Sequence, residues 1–137
     1  MPEPSPYDYA IVRVVPKVER EEFINAGAIV SCPASDFLEA RIELDEGRLL
    51  ALDPGADLAT IRAHLATLPA ICAGGPDAGP IGALSKRERF RWLTAPRSTV
   101  IQTSPVHTGA CTDPAALLEH LLATMVRAPR KEGERGR

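Results

Sequence analysis

The sequence predicts an α+β domain: a small antiparallel sheet of about four strands with helices packed on one face. Three observations carry this expectation. Runs rich in β-branched and aromatic residues crowd residues 7–44, apolar residues at helical spacing dominate after residue 45, and the links between the early runs are too short for the crossovers that parallel strands need.

The run Tyr7-Asp-Tyr-Ala-Ile-Val-Arg-Val-Val, stopped by Pro16, reads as the first strand. Lys17 to Glu22 is a charged turn or short helix. Phe23-Ile-Asn-Ala-Gly-Ala-Ile-Val reads as the second strand, closing at Cys32-Pro33, and Gly27 inside it signals a bulge or a close backbone approach. From Leu38 the stretch Phe37-Leu-Glu-Ala-Arg-Ile-Glu-Leu alternates apolar and charged residues, the mark of a half-exposed third strand.

Helices follow. Asp45 to Leu52 forms a short one, and Asp57 caps the next, whose Leu58, Ile61, Leu65 and Leu68 recur at helical spacing until Pro69. Ala70 to Leu84 is too rich in glycine and proline for regular structure and reads as a loop. Ser85-Lys-Arg-Glu88 is a capping-box signature, so a helix begins there and runs through Trp92. Arg97 to Gln102 reads as the fourth strand. Asp113-Pro114 opens a last helix with Leu117, Leu118, Leu121, Leu122 and Met125 along one stripe.

At 137 residues the chain suits a single domain, expected over 7–127, with a disordered leader at 1–6 and a disordered basic tail at 128–137. Its 45% apolar and 25% charged residues argue against wholesale disorder, and no apolar run approaches the roughly 20 residues of a membrane-spanning helix. The first residues lack the basic and apolar regions of a secretory signal, so a cytoplasmic location is expected. Cys32, Cys72 and Cys111 stand about forty residues apart, which suits buried free thiols better than a zinc site. The net charge of −2 hides a gradient: residues 1–60 hold five Lys/Arg against twelve Asp/Glu, and residues 61–137 hold eleven against six. Part of the basic excess lies in Arg127, Arg130, Lys131, Arg135 and Arg137, expected as a solvated end.

Four stretches invite a chemical reading. Gly74 to Gly82 resembles a phosphate cradle in composition, yet it lacks both the Gly-Lys-Ser/Thr of a P-loop and the strand and spacing of a dinucleotide fingerprint. Lys86, Arg87, Arg89, Arg91 and Arg97 make a basic stretch, open to nucleic acid or simply to solvent. An aromatic content of 4% weakens an RNA-binding sheet, which needs rings to stack bases. In Gln102-Thr-Ser-Pro-Val-His-Thr-Gly109 a Ser104, His107 and Asp113 relay can be drawn, without the strained turn that presents a nucleophile. Finally, Arg13, Arg20, Glu22 and Asn25 flank the first turn, where they either hold a ligand or pair with one another to lock it. No spacing of His, Asp or Glu indicates a metal, and no cofactor is expected.

Two segments are more specific in wording: Arg13-Val-Val-Pro-Lys-Val-Glu-Arg-Glu-Glu-Phe-Ile-Asn-Ala-Gly27 and Arg97-Ser-Thr-Val-Ile-Gln-Thr-Ser-Pro-Val-His-Thr-Gly109. Through them, from about Tyr7 to Val126, the chain resembles the small bacterial proteins of domain of unknown function family 3037. Arg13, Pro16, Arg20, Glu22, Phe23, Asn25 and Gly27 carry the first motif, and Arg97 through His107 the second. The resemblance brings no activity with it. It implies a small cytoplasmic protein, often encoded beside a HipA-like kinase, and so a partner or regulator of such an enzyme.

Three functional classes remain. The favoured one is a protein-interaction or accessory module, because no nucleophile, metal set or cofactor fingerprint is legible. The second is a small enzyme or binder of an anionic ligand, with Arg13, Arg20, Glu22, Asn25, Arg97, Gln102, Ser104 and His107 as candidate site residues around a pocket between the sheet and the glycine-rich loop. It requires the two motifs to meet in space. The third is a nucleic-acid binder using the Lys86–Arg97 patch.

Overall fold

The computed structural model describes residues 3–129. The first strand, β1 (Ser5–Val14), lies at the centre of a five-stranded antiparallel sheet. One neighbour is β2 (Ile24–Cys32), followed outward by β3 (Phe37–Ile42). On its other side two short strands share the edge. β4 (Ile101–Thr103) pairs with Val12–Val14, and β5 (His107–Cys111) pairs with Ser5–Tyr9. Between these two strands Ser104 keeps hold of β1: its amide donates to the Ile11 carbonyl at 2.8 Å, and its Oγ accepts from the Ile11 amide at 2.9 Å.

The α+β class holds, and the distribution of helices differs from the expectation of one covered face. Helices α1 (Glu46–Leu52), α2 (Leu58–Ala73) and α3 (Lys86–Thr94) pack Leu49, Ile61, Leu65, Leu68, Phe90 and Leu93 against Val12, Val14, Ala26, Ile29, Leu38 and Ala40. On the opposite face α4 (Pro114–Leu121) and the turn after it bury Leu118, Leu121, Leu122 and Val126 against Ile11, Ala28 and Val30. The cause lies in β1 and β2. Their apolar residues are continuous rather than alternating, so both faces need cover.

Local signals placed most helix starts. Asp45, Asp57 and Asp113 each accept a backbone N–H three residues on, and Ser85 with Glu88 forms the full capping box. The end of α2 differs from expectation, because the helix continues through Pro69 to Ala73. Proline removes one helical hydrogen bond, but the added turn buries Ile71 and Cys72 and gains a cap from another helix. Arg89, only 7% exposed, donates to the carbonyls of Ile71 at 2.8 Å and Cys72 at 2.7 Å, and to Leu84 at 3.1 Å. Gly74, at φ 76°, leaves room for that guanidinium; a side chain there would strike it. The stretch expected as an irregular loop over 70–84 is therefore the last turn of α2 followed by 3₁₀ turns over Pro76–Ala83.

At the other end of the chain, β1 begins at Ser5, two residues before the expected start. The fourth strand is shorter than its Arg97–Gln102 reading, and the polar segment after it supplies the fifth. Arg127, expected in a solvated tail, instead makes two ion pairs, with Glu43 beyond β3 and Glu119 of α4. Met1, Pro2 and the tail from residue 130 onward lie outside the described residues.

Candidate functional site

Beside the Arg13–Asn25 pair the β1–β2 ladder slips by one residue. Val12 lies opposite Gly27 and Arg13 opposite Asn25, so Ala26 has no opposite number and forms a β-bulge. Gly27 is required there, since a Cβ would collide with the Arg41 carbonyl of β3. The bulge keeps Ala26 in the core on the face covered by α1, α2 and α3 while Asn25 turns to the α4 face, where its Nδ2 donates to the Met125 carbonyl at 2.8 Å. Arg13 follows Ile11 by two positions on β1 and so shares that face, its guanidinium 4.2 Å over the ring of Phe23.

Together these residues enclose a groove of about 500 Å³. Ile11 and Ser104 are buried at its base, Tyr9 and His107 line one end, and Phe23 and Met125 stand at the rim, 43% and 41% exposed. Tyr9 and His107 are a cross-strand pair with ring centroids 5.3 Å apart. Within the groove the Nε of Arg13 and the Oδ1 of Asn25 are shut off from solvent with no hydrogen-bond partner among the described residues. Burying an unmet polar group costs about 1–3 kcal/mol, so two on facing residues of one ladder are anomalous unless something outside the chain meets them.

The two sequence motifs do meet. Arg13 pairs in register with Gln102, and Ser104 bonds to Ile11. Of the eight residues singled out from sequence, Arg13, Asn25, Ser104 and His107 line this one groove. Arg97 and Gln102 line two other hollows, one of about 280 Å³ on the far side of Arg13 and Phe23 and one of about 540 Å³ shared with His64, Leu68, Trp92 and Ile101. There Arg97 is occupied: it donates to the Leu93 carbonyl at 3.0 Å and to the Ala95 and Trp92 carbonyls, closing the end of α3, and stacks on Trp92 at 4.5 Å. Gln102 donates to the Thr99 carbonyl. Arg20 and Glu22 lie elsewhere, in an exposed local ion pair at 2.5 Å that holds the Glu22 carboxyl below its usual range through the Arg20 hydrogen bond. The reading in which they lock the turn is the one the geometry supports. The glycine-rich stretch lines none of these hollows, so the expected pocket between it and the sheet is replaced by the groove under α4.

The relay of Ser104, His107 and Asp113 does not assemble. Ser104 Oγ donates to the Pro105 carbonyl and accepts from Ile11, and the Asp113 carboxylate caps α4. The His107 side chain is exposed and its imidazole makes no hydrogen bond among the described residues. The basic stretch is dispersed as well. Arg87 pairs with Asp8 at 2.6 Å, Lys86 with Asp36 at 3.0 Å, and Arg89 is buried under α2. Among the described residues no cluster of His, Cys, Asp or Glu is placed to hold a metal, and no helix is long and apolar enough to cross a membrane.

Sequence reasoning missed Met125 and Thr124 as groove residues, because the apolar stripe of the last helix places Met125 in the core. After Leu121 the chain makes a π turn over Leu122–Val126, with Arg127 N–H reaching back to the Leu122 carbonyl. The extra residue moves the stripe by one position. Val126 goes inward, Met125 outward, and the Met125 carbonyl comes to Asn25. Phe23 was visible in the first motif, next but one to Asn25.

No curated protein and no solved structure matches the chain. A family model does, over residues 9–126, the span that holds β2, the bulge, the groove and α4. The chain thus belongs to the family described as protein of unknown function, DUF3037.

Proposed function

We propose that the chain is a cytoplasmic protein-interaction module that takes a segment of its partner into the Arg13 groove, and that a HipA-like kinase is one such partner. The observation behind this reading is the pair of buried, unpartnered polar atoms, Arg13 Nε and Asn25 Oδ1, at the point where the two sequence motifs touch. A donor and an acceptor kept dry beside exposed Phe23 and Met125 combine specificity with apolar contact, the composition of a binding groove. The open rim favours a polypeptide segment over an enclosed small molecule. The kinase enters through the family resemblance alone.

Three functional classes are thereby ranked. An anionic small-molecule binder would use the same Arg13 and is the second reading. A nucleic-acid binder is disfavoured, since Lys86, Arg87, Arg89 and Arg97 already serve carboxylates or helix carbonyls. Native purification from the host tests the ranking, with the unchanged chain and Arg13→Gln as parallel baits. The module reading expects a protein partner that the Arg13→Gln bait loses. A partner retained equally by both baits, or none with either, overturns it.

A further inference from the structure

Resting on the reading of the groove as a partner site, we infer that its occupant is a polypeptide C-terminus: the terminal carboxylate binds Arg13 and the backbone N–H of the last residue donates to Asn25 Oδ1.

The chemistry of the two orphaned atoms selects this group. The Asn25 amide has its orientation fixed, because the Met125 carbonyl can only accept and therefore holds the Nδ2 side at 2.8 Å. What remains is an acceptor, and it needs a donor from the occupant. Arg13 offers only donors, and no carboxylate among the described residues pairs with it. An occupant must therefore present an acceptor, preferably anionic, together with a hydrogen-bond donor a short distance away. Acetate gives Arg13 its acceptor and brings no donor for Asn25, whereas inorganic phosphate at neutral pH keeps an O–H of its own and is the competitor that the experiment must separate. The last residue of a polypeptide has both, since its α-carboxylate and its own N–H flank one Cα. Arg13 and Asn25 stand directly opposite in the ladder and line one groove, so one residue in it meets both side chains, whose orphaned atoms turn toward it from the closed positions they hold without it. The guanidinium already sits over the Phe23 ring, 4.2 Å from its centroid, so its position is held before a carboxylate arrives. The exposed flanks of Phe23 and Met125 then suit an apolar terminal side chain.

The test uses the unchanged chain and two forms of one probe, acetyl-Gly-Gly-Leu as the free acid and as the C-terminal amide, followed by ¹H–¹⁵N spectra. Expected is saturable binding of the acid with shifts centred on Arg13 and Asn25, and binding of the amide weaker by about tenfold or more. Arg13→Gln and Asn25→Ala each abolish the preference for acid over amide. Equal binding of acid and amide, no binding of the acid up to about 10 mM, or inorganic phosphate matching the acid, each overturns the assignment. Failure here alone leaves an Arg13-dependent partner in native purification; failure of the groove reading itself removes that dependence.

Discussion

Arg13 of β1 and Asn25 of β2 face each other across a bulged ladder, and each holds a polar atom out of water with nothing to bond. Elsewhere the fold satisfies its polar groups closely: Arg89 serves three carbonyls, Arg97 closes α3, and Ser104 Oγ both donates and accepts. The exception at Arg13 is the observation on which the proposed partner groove rests.

A structural arginine and a binding arginine respond differently to truncation. Arg13→Met removes the orphaned donor and keeps an apolar contact with Phe23, so it leaves unfolding free energy within about 1 kcal/mol of the unchanged chain or raises it. Urea denaturation followed by circular dichroism measures this. A loss of about 3 kcal/mol would show that Arg13 holds the fold together.

Arg89 makes the opposite prediction. Arg89→Met strands the Ile71 and Cys72 carbonyls at the buried end of α2 and is expected to cost roughly 3 kcal/mol. Arg89→Lys rescues little of that, because one ammonium cannot reproduce the fork that reaches Ile71, Cys72 and Leu84 together. Denaturant midpoints of the two variants would be close together and well below that of the unchanged chain.

Acid sensitivity follows from Arg127. Its hydrogen bonds hold the Glu43 and Glu119 carboxyls below their usual range. A carboxyl lowered in the folded state stabilises fully above the ordinary glutamate value of about 4.3, and that contribution fades as pH falls through the lowered value. Thermal melts should therefore drop on acidification below about pH 4, and Arg127→Met should drop less steeply over the same interval. Added salt should narrow the difference, since all three side chains are partly exposed.

Thiol reactivity separates the cysteines. Burial pushes the Cys72 thiol up to about 12, and Cys32 is fully buried. Cys111 on the edge strand β5 is partly exposed, although burial raises its thiol as well. Titration of the native chain with a disulfide reagent should label Cys111 first, and Cys72 only on unfolding. Rapid labelling of Cys72 in the native state would contradict the packing of α2.

Capping signals made helix starts legible, because an Asp or Ser before a periodic run acts within one turn of chain. The bulge was legible in part through Gly27. What escaped were features decided by distant partners. Arg89 lies sixteen residues beyond the end of α2, and no local pattern says that it will carry that helix past Pro69. Likewise β5 is made from polar residues whose pairing with β1 depends on Ser104 holding Ile11, ninety-three positions away. Half of the candidate site was visible in the two motifs. Its apolar rim at Met125 was hidden by a π turn that an α-helical stripe does not announce.

The central claim is that Arg13 awaits an acceptor from outside the chain, and the Nε–H resonance of Arg13 in a ¹⁵N spectrum reports on that atom directly. On saturation with acetyl-Gly-Gly-Leu free acid the account predicts a downfield shift and slower exchange with solvent at this proton, with the amide form leaving it nearly unchanged. A probe that binds while this resonance stays where it is would contradict the account.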